Sequence, residues 1–500
     1  MFEELKTLIK HSSVYGMAEL LRKGIGFIMI PIYTQFLTPA DYGLLELLDL
    51  TVNVIGMLVG LHIGSALIRY YNYYDDQKGK QEVFTTALAF TFLLSLFVFC
   101  ILVVLSDPIS KLISGSSQYY RYFQITFICL TIQAIYLIPE TYLLARKKSL
   151  LYSALSTGTL ISNLSLNIFF LVVMRMGVFG ILLSMLITKA INCLIVSAIT
   201  LRHIRYSFSL EKLKKMIWFS LPLVPASISM FIIHFSDRFF IQMYCNLNDL
   251  GLYSLGYKFG MIISIIVSTP IFKIWDTQRF EIAKNNNAQQ IFKKIFTYYS
   301  AVIIFVGLGI SVFIDEIVSV MAASEYKGAS TIVPLIVLSY VFYGMASYFT
   351  LGIMIRNKTK YAAYIQLCAA GINLLLNMFF ISSYGIIGAA ISTVLTFLFI
   401  VLLNFIVSQK IYPIPFEYGR VFILFALAIF LFGLSRLVEL PFLMSLGIKS
   451  FLILGFPLIL FIGKFFNEEE ISKGMELLKT IRSRFVIKNG LAGIVDKVKK

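Results

Sequence analysis

Eight residues of this chain, Asn163-Leu164-Ser165-Leu166-Asn167-Ile168-Phe169-Phe170, return later as Asn373-Leu374-Leu375-Leu376-Asn377-Met378-Phe379-Phe380. Both copies keep two asparagines four positions apart, followed by two phenylalanines. Other matched segments recur in the same order: Asp41 and Gly43 with Asp249 and Gly251, Arg146-Lys147-Lys148-Ser149 with Arg356-Asn357-Lys358-Thr359, and Gly177-x2-Gly180-x3-Ser184 with Gly385-x2-Gly388-x3-Ser392. The second half therefore restates the first about 208 residues later, which predicts two similar bundles.

The composition identifies the environment of these bundles. The chain has 500 residues, of which 58% are hydrophobic and 14% charged, and its mean hydropathy is +0.84. These values are far from those of soluble globular proteins. The sequence thus predicts an all-α, polytopic membrane protein.

Apolar runs of about 20 residues can cross a bilayer as helices. We read fourteen of them: Ser12 to Phe36, Leu44 to Ile68, Val83 to Leu105, Phe123 to Leu144, Leu151 to Met174, Val178 to Thr200, Met216 to Tyr244, Leu252 to Trp275, Ile295 to Met321, Thr331 to Ile355, Tyr361 to Ser383, Gly385 to Ser408, Val421 to Leu437 and Phe442 to Phe465. The repeat relates the first six to the second six, so the last two form an addition.

The predicted organisation has four parts. Residues 1–205 form a first lobe of six helices, 206–410 a second lobe of six, 411–466 two further helices, and 467–500 a basic cytoplasmic tail. An even number of spans between matched positions makes the two lobes pseudo-symmetric about an axis along the membrane normal. Two such bundles around a shared cavity are a common design for a carrier that opens to alternate sides of a membrane.

Lysine and arginine are unevenly divided among the short loops. One set of loops carries most of them: Lys6, Lys10, Arg69, Lys78, Lys80, Arg146 to Lys148, Arg202, Arg205, Lys212, Lys214, Lys215, Arg279, Lys284, Lys293, Lys294, Arg356, Lys358, Lys360, Lys410 and Arg420. The alternate loops hold only Lys111, Arg175, Lys327, Arg436 and the nearby Lys449. Because positive residues are retained inside, both termini are expected to be cytoplasmic. The net charge of +17 thus reflects topology and anionic headgroups, and no nucleic acid is expected as a partner.

No pattern for catalysis, metal or cofactor binding is found. The four histidines are scattered, the five cysteines lack paired or metal-ligand spacing, and no phosphate-cradling glycine loop or nucleophile elbow is present. The outward loops are too short to hold a catalytic domain. The sequence therefore predicts a protein that is not an enzyme and uses no cofactor.

One stretch near the N-terminus resembles a known family. It runs from Arg22-Lys23-Gly24-Ile25-Gly26 to Pro31-Ile32-Tyr33-Thr34-Gln35-Phe36-Leu37-Thr38-Pro39-Ala40-Asp41-Tyr42-Gly43. It is similar to the opening signature of the polysaccharide-biosynthesis transporters, the Wzx-type oligosaccharide flippases, whose superfamily also holds the MATE drug exporters and the lipid II flippase. Through the repeat, the resemblance extends to Tyr384-Gly385-Ile386-Ile387-Gly388-Ala389-Ala390.

The resemblance implies a function and a set of partners. It implies translocation of undecaprenyl-diphosphate-linked oligosaccharide from the cytoplasmic to the outer leaflet of a bacterial inner membrane, for O-antigen, capsule or exopolysaccharide synthesis. The partners are this lipid-linked oligosaccharide, the lipid bilayer and a polysaccharide polymerase. Coupling to Na⁺ or H⁺ is left open.

A diphosphate and a hydroxyl-rich glycan need a wet, cationic cavity, because bare ions are costly in hydrocarbon. Ionisable residues inside spans are rare and usually functional. The predicted diphosphate and glycan site is formed by Arg22, Lys23, Lys189, Arg238 and Lys258. The carboxylates predicted as charge partners or coupling groups are Glu19, Glu46, Asp49 and Asp237.

Structural explanations compete with these roles. Glu19 precedes Lys23 by four residues, a spacing that favours pairing along one helix. Asp237 has Arg238 or Lys258 as candidate partners, and Lys189 has Glu140 or Asp49. For the two asparagine pairs, hydrogen bonding between helices is favoured over contact with a glycan.

Two other functions were weighed against the flippase. An exporter of cationic small molecules, similar to the MATE proteins, should place unpaired carboxylates deep in a lobe, whereas the deepest charges here include Arg22, Lys23 and Lys189. A glycosyl transferase or polymerase would need a larger outward loop. The sequence therefore favours the flippase.

Overall fold

The computed structural model describes residues 26–202, 206–437, 440–468 and 470–472. Throughout these ranges the regular structure is helical and no strand is found. The prediction of an all-α membrane protein is confirmed. The predicted tail lies outside the described residues apart from its first few positions.

The helices of the first lobe follow the predicted spans. They are α1 (Ile30–Phe36), α2 (Pro39–Gly60), α3 (Ile63–Tyr73), α4 (Gln77–Val104), α5 (Ser106–Ser114), α6 (Tyr120–Ala145), α7 (Ser149–Ile168) and α8 (Gly177–Leu201). A 3-10 turn at Ser117–Tyr119 precedes α6, and a π-helical turn at Phe169–Val173 extends α7.

The rest of the described chain forms eleven further helices. They are α9 (Leu210–Ser220), α10 (Leu223–Tyr244), α11 (Leu247–Ile263), α12 (Thr269–Ile282), α13 (Ala288–Val312), α14 (Ile314–Met321), α15 (Val333–Phe349), α16 (Leu351–Ile355), α17 (Lys360–Ile411), α18 (Tyr418–Arg436) and α19 (Phe442–Ile462). A π-helical turn at Ser264–Ser268 joins α11 to α12, and a 3-10 segment at Ser324–Thr331 precedes α15.

Twelve helical stretches within the described ranges are long and apolar enough to cross a membrane. The sequence predicts fourteen. One of the twelve, Lys360–Ile411, contains two predicted spans that meet at Gly385, where the backbone leaves the helical region. The first predicted span is described only from Gly26 onward. These two facts account for the lower count.

The repeat is visible in the backbone. Lys147 has φ of 57° and its repeat match Asn357 has φ of 54°, while Gly177 and its match Gly385 have φ of 57° and 56°. The left-handed region is costly for residues other than glycine and asparagine. Recurrence of these values at matched positions shows that the backbone turns in the same way between corresponding helices of the two lobes.

The chain divides into two compact units. The first comprises Met1–Gln289 and Ile314–Ile414, and the second comprises Gln290–Phe313 and Pro415–Lys500. Within the second unit, Glu417 accepts ion pairs from Lys293 at 3.4 Å and from Arg420 at 3.4 Å, and Arg420 also pairs with Glu470 at 3.2 Å. These contacts join α13 and α18 to the segment after α19.

The lobes approach each other closely where α2 and α11 begin. A Cβ atom added to Gly43 would lie 2.2 Å from the carbonyl oxygen of Leu247, and one added to Gly251 would lie 1.8 Å from that of Pro39. The two contacts are the same contact seen from either lobe, since both pairs are related by the repeat. Only glycine allows the helices to pack this closely.

Both helices have side-chain caps that fix where they begin. Thr38 and Asp41 form a capping box at α2, in which the Asp41 amide donates to Thr38 Oγ1 at 3.2 Å and the Thr38 amide donates to Asp41 Oδ2 at 3.1 Å. At α11 the Asp249 amide donates to Asn246 Oδ1 at 2.9 Å. These caps satisfy amides that the first turn of a helix leaves unpaired. They also set the register that brings the two glycines into contact.

Candidate functional site

Four predicted site residues lie together just beyond the glycine contact. We call Glu46 on α2, Asp237 and Arg238 on α10, and Lys258 on α11 the inter-lobe ion cluster. The cluster places one carboxylate of the first lobe, Glu46, next to two cations of the second lobe, Arg238 and Lys258. Its geometry follows from the caps, since Glu46 lies about one turn after Gly43 and Lys258 about two turns after Gly251.

Arg238 is enclosed by its partners. Its side chain is 2% exposed, and its Nη1 lies 2.6 Å from Asp237 Oδ1 and donates to the carbonyl oxygen of His234 at 2.8 Å. The guanidinium lies 3.9 Å from the ring centroid of Tyr257, and its Nε is 4.0 Å from Glu46 Oε1. A cation buried in this way needs such partners, because it has lost its hydration. In this conformation the guanidinium is closed to a large ligand.

Asp237 has a second partner besides Arg238. Its Oδ2 accepts a hydrogen bond from the hydroxyl of Tyr253, which is itself fully buried. Both oxygens of the carboxylate are therefore bonded, and the Asp237–Arg238 pair is held inside the second lobe.

Lys258 differs from Arg238 in being accessible. Its side chain is 41% exposed, and its Nζ lies 3.4 Å from Glu46 Oε2 and 2.9 Å from the Tyr42 hydroxyl. The ammonium also lies 4.7 Å from the centroid of the Tyr42 ring. Glu46 thus touches both cations of the second lobe, one at each carboxylate oxygen.

Asp49 lies one turn beyond Glu46 and is exposed. Its Oδ2 accepts a hydrogen bond from Asn53 Nδ2 at 3.1 Å. It interacts electrostatically with both Lys258 and Lys189. Together with Cys129 of α6 and Met185 of α8, it lines a small space in the first lobe.

Lys189 also lies in the first lobe, where it lines a cavity of about 510 Å³. Its Nζ donates to Gln133 Oε1 at 2.8 Å. Among the described residues, neither Glu140 nor Asp49 comes within 4 Å of this ammonium as an ion-pair partner. Glu140 lines the same cavity.

The two asparagine pairs have different surroundings. In the second lobe Asn373 and Asn377 are 1% and 0% exposed. Asn377 Nδ2 donates to Asn373 Oδ1 at 3.1 Å and to Ser236 Oγ at 3.1 Å, and Asn373 Nδ2 donates to Thr396 Oγ1 at 3.0 Å. These are the predicted hydrogen bonds between helices, and they join α17 to α10.

In the first lobe the corresponding pair lines the 510 Å³ cavity. Asn167 Nδ2 donates to Asn163 Oδ1 at 2.9 Å and to the Tyr33 hydroxyl at 3.2 Å. The same sequence motif therefore closes a packed core in one lobe and borders an open space in the other.

A second cavity of about 510 Å³ lies in the second lobe, between the π-helical turn with α12 on one side and α15 with α16 on the other. Its lining includes Lys273, Arg279 and several hydroxyl side chains. Arg279 Nη2 pairs with Asp276 at 3.1 Å. Lys273 was not among the predicted site residues, although a lysine inside a predicted span is a signal that the sequence offers.

Three predicted residues, Glu19, Arg22 and Lys23, lie outside the described residues. Their place in the site stays a prediction. The described residues contain no group of three or more His, Cys, Asp or Glu side chains that could hold a metal ion.

Within the described residues, the fold is that of an all-helical membrane protein of two related bundles, with the ion cluster where they meet. Residues 32–331 match the family described as polysaccharide biosynthesis protein, and the chain belongs to that family. The resemblance seen at Pro31 to Gly43 is thereby confirmed.

Two curated relatives match about half of the chain. The succinoglycan biosynthesis transport protein ExoT of Rhizobium meliloti (strain 1021) is 22% identical over 256 residues, covering 50% of this chain and 49% of the relative. The probable low-salt glycan biosynthesis flippase Agl15 of Haloferax volcanii is 26% identical over 204 residues, covering 40% of this chain and 42% of the relative. The chain thus spans about half the length of the curated relatives it matches.

Solved structures share the fold over most of the chain. The lipid II flippase MurJ in an inward closed conformation has a TM-score of 0.73 at 14% identity, covering 91% of this chain and 100% of that chain. An inward-facing multidrug resistance MATE family transporter of the MOP superfamily has a TM-score of 0.60 at 15% identity, covering 83% of this chain and 95% of that chain. At such identities the likeness concerns the fold alone.

Proposed function

We propose that this protein is a flippase that moves an undecaprenyl-diphosphate-linked oligosaccharide from the cytoplasmic to the outer leaflet by alternating access. Family membership and the two curated relatives, one named as a polysaccharide transport protein and one as a probable glycan flippase, support a transporter of lipid-linked sugars. The fold shared with a lipid II flippase is in accord with this.

The observation that carries the proposal is the accessible side chain of Lys258 at a contact between the lobes. The diphosphate of the substrate must leave water, and each bare ion would cost several kcal/mol in the membrane interior. Lys258 offers a positive charge on a side chain that is 41% exposed, and its Nζ lies 3.4 Å from a carboxylate of the opposite lobe.

Glu46 occupies the place that the diphosphate would take. Its single carboxylate is shared between Lys258 at 3.4 Å and Arg238 at 4.0 Å. A diphosphate carries more negative charge and more acceptor oxygens than a carboxylate, so it competes for the same cation. Exchange at Lys258 would release Glu46 and remove one bond between the lobes. Binding of substrate would thereby favour separation of α2 from α11.

Arg238 and the residues before Gly26 have different parts in this proposal. Arg238 is enclosed by Asp237 and Tyr257 of its own lobe, so it would bind the diphosphate only after these contacts have rearranged. Arg22 and Lys23 would supply further positive charge from the first helix. Coupling to Na⁺ or H⁺ would act through the cluster carboxylates Glu46 and Asp237 or through Asp49, which is exposed.

The setting of this activity follows from the charge of the loops. We place the basic loops and both termini in the cytoplasm of a bacterial cell, with the protein in the inner membrane and a polysaccharide polymerase acting after it. The product could serve O-antigen, capsule or exopolysaccharide synthesis.

One observation favours a second candidate, an ion-coupled exporter of cationic molecules. Asp49 is exposed, its bonded partner is the neutral amide of Asn53, and within the described chain no cation lies within 4 Å of it as an ion-pair partner. A carboxylate in this position attracts a cation. The two functions differ in the charge of the molecule that moves.

The test uses the full chain in proteoliposomes with two cargoes, a fluorescent lipid-linked oligosaccharide and ethidium. We expect translocation of the first and no efflux of the second. Lys258→Gln should slow translocation at least tenfold, and Lys258→Arg should retain part of the activity. The matched control is Lys327→Gln, which removes an exposed lysine outside the cluster. Ethidium efflux without movement of the oligosaccharide would establish the exporter instead.

A further inference from the structure

The cavity of the first lobe is a built space that the ion cluster does not use. It measures about 510 Å³, within the range of about 300–1,000 Å³ that is common for small-molecule sites. Its walls come from α6, α7, α8 and the segment from Gly26 through α1. Hydroxyl and amide side chains dominate the polar part of its lining.

The polar groups of the cavity suit a neutral, hydroxyl-rich ligand. Among the described residues of the lining, Lys189 and Glu140 carry one charge of each sign. The remaining polar lining consists of tyrosine, asparagine, glutamine, threonine and serine side chains, which both donate and accept hydrogen bonds. A sugar has the same mixture of donors and acceptors. An isolated cation or anion would need an excess of one sign.

Two buried oxygens in this lining have no protein partner. Thr188 Oγ1 and Asn167 Oδ1 are both buried without a hydrogen bond to any described residue. Thr188 is 3% exposed and Asn167 is also 3% exposed. Unpaired buried acceptors cost free energy unless another molecule donates to them. The hydroxyl groups of a sugar are such donors once the Thr188 and Asn167 side chains rotate toward the cavity.

The contrast with the second lobe shows that this space is specific to the first. There the repeat-matched asparagines are buried against Ser236 and Thr396. In the first lobe, among the described residues, Asn167 donates to Asn163 and to Tyr33, and both asparagines border the cavity. Asn167 Oδ1 and its repeat match Asn377 Oδ1 both lack a described hydrogen-bond partner. The difference is that Asn377 is 0% exposed in a packed core, whereas Asn167 lines a space that a ligand can enter.

The cavity also lies beside the place proposed for the diphosphate. Asp49 interacts electrostatically with Lys258 of the ion cluster and with Lys189 of the cavity. A glycan is covalently attached to its diphosphate, so the sites for the two groups must be adjacent. Asp49 and Met185 line one small space, and Met185 also lines the 510 Å³ cavity, so Asp49 and the cavity are neighbours.

We propose that the first-lobe cavity is a glycan subsite, in which Thr188, Asn167, Asn163 and Lys189 bind sugar hydroxyls of the lipid-linked oligosaccharide while its diphosphate is held at Lys258. This inference rests on the proposed function. The second lobe contributes no equivalent subsite at its asparagine pair, so sugar recognition is asymmetric between the lobes.

The test compares binding of two lipids to the purified full chain in nanodiscs. One lipid is the lipid-linked oligosaccharide pool extracted from cells that lack this protein, and the other is sugar-free undecaprenyl diphosphate. Thr188→Val removes an unbonded hydroxyl at nearly constant shape. It should weaken binding of the oligosaccharide lipid about fivefold, the equivalent of one lost hydrogen bond. Binding of undecaprenyl diphosphate should stay unchanged.

The matched control is Thr91→Val. Thr91 is 2% exposed and its Oγ1 is also without a described partner, but it does not line the cavity. It should alter the affinity for neither lipid. A second pair, Asn167→Leu and its repeat match Asn377→Leu, separates recognition from folding. Asn167→Leu should lower the affinity for the oligosaccharide lipid selectively, whereas Asn377→Leu should lower the melting temperature without changing the ratio of the two affinities.

Two results would overturn the inference in different ways. If Thr188→Val and Asn167→Leu bind both lipids as the unmodified protein does, or lose both equally, the glycan subsite is wrong and the flippase proposal stands. If the unmodified protein binds neither lipid, the proposed function fails and the subsite fails with it.

Discussion

Replacing Gly251 by alanine should open the contact between α2 and α11. The added Cβ would lie 1.8 Å from the carbonyl oxygen of Pro39, and ordinary contact begins at 3.4 Å. The helices must therefore separate locally by about 1.6 Å, the difference between these two values. The opposing group is backbone, which cannot rotate out of the way as a side chain can.

The energetic consequence is large for one methyl group. Overpacking of a tight contact costs about 1–3 kcal/mol, which shifts a two-state equilibrium about 5- to 150-fold. The cost falls only on the conformation in which these helices touch. Gly251→Ala should therefore raise the population of conformations in which the lobes are apart at this end.

The assay is a distance distribution between spin labels at Gln118 and Lys327, measured by double electron–electron resonance in a cysteine-free background. Both positions are exposed, one in each lobe. Gly251→Ala should move the distribution to longer distances. Gly43→Ala should have a smaller effect, since its Cβ would lie 2.2 Å from the Leu247 carbonyl oxygen.

The matched control is Gly371→Ala, because a Cβ there meets nothing within 4 Å. Alanine in a helix interior is favoured over glycine by about 0.5–1 kcal/mol, so this variant should be no less stable than the unmodified protein. The reasoning is refuted if all three variants give the same distance distribution, or if Gly371→Ala moves it as much as Gly251→Ala does.

Three further predictions follow from charge and burial. Because of the loop bias, a cysteine at position 147 should react with an impermeant maleimide only after cell lysis, whereas one at position 41 should react in intact cells; labelling of position 147 from outside would reverse the topology. Arg238→Met should destabilise the protein by about 3–5 kcal/mol, because Asp237 is left as an uncompensated buried charge. Adding Asp237→Asn to the same chain should restore the melting temperature without restoring transport. Restored transport would show that Arg238 is not part of the site. Asn377→Leu should destabilise by about 1–3 kcal/mol through the loss of its buried hydrogen bonds, and an unchanged urea midpoint of unfolding would contradict that value.

The sequence predicted the helices and the two related bundles because both depend on patterns along the chain. Apolar runs located the spans, and the repeat matched Gly43 with Gly251. It did not predict that these two glycines lie at a contact between the lobes. The fourteen predicted spans correspond to twelve helical stretches among the described residues for two reasons. Two spans form one stretch through Gly385, where the backbone leaves the helical region, and the first span is described only from Gly26 onward. Periodicity therefore sets which segments are helical more reliably than where they end.

The surroundings of a side chain were much harder to predict. The two asparagine pairs have the same spacing and the same flanking phenylalanines, yet one is enclosed and the other borders a cavity. Spacing defines the face of a helix, and what packs against that face depends on other segments. Arg238 is a second example, because no pattern in the sequence indicated that the Tyr257 ring packs against its guanidinium. Thr188 and Gln133 carried no signal beyond being polar residues inside spans.

The reciprocal glycine contact has a consequence for assembly. Gly43 meets the Leu247 carbonyl as Gly251 meets the Pro39 carbonyl, so the two halves meet through one self-complementary, isologous surface. A single six-helix chain with either helix start would carry both sides of the contact, and two copies of it would meet through that contact twice. Within the fused chain, each side can change without the other. The joined sequence can therefore keep the symmetric glycine contact while the interiors of the two halves diverge, as the surroundings of their asparagine pairs do.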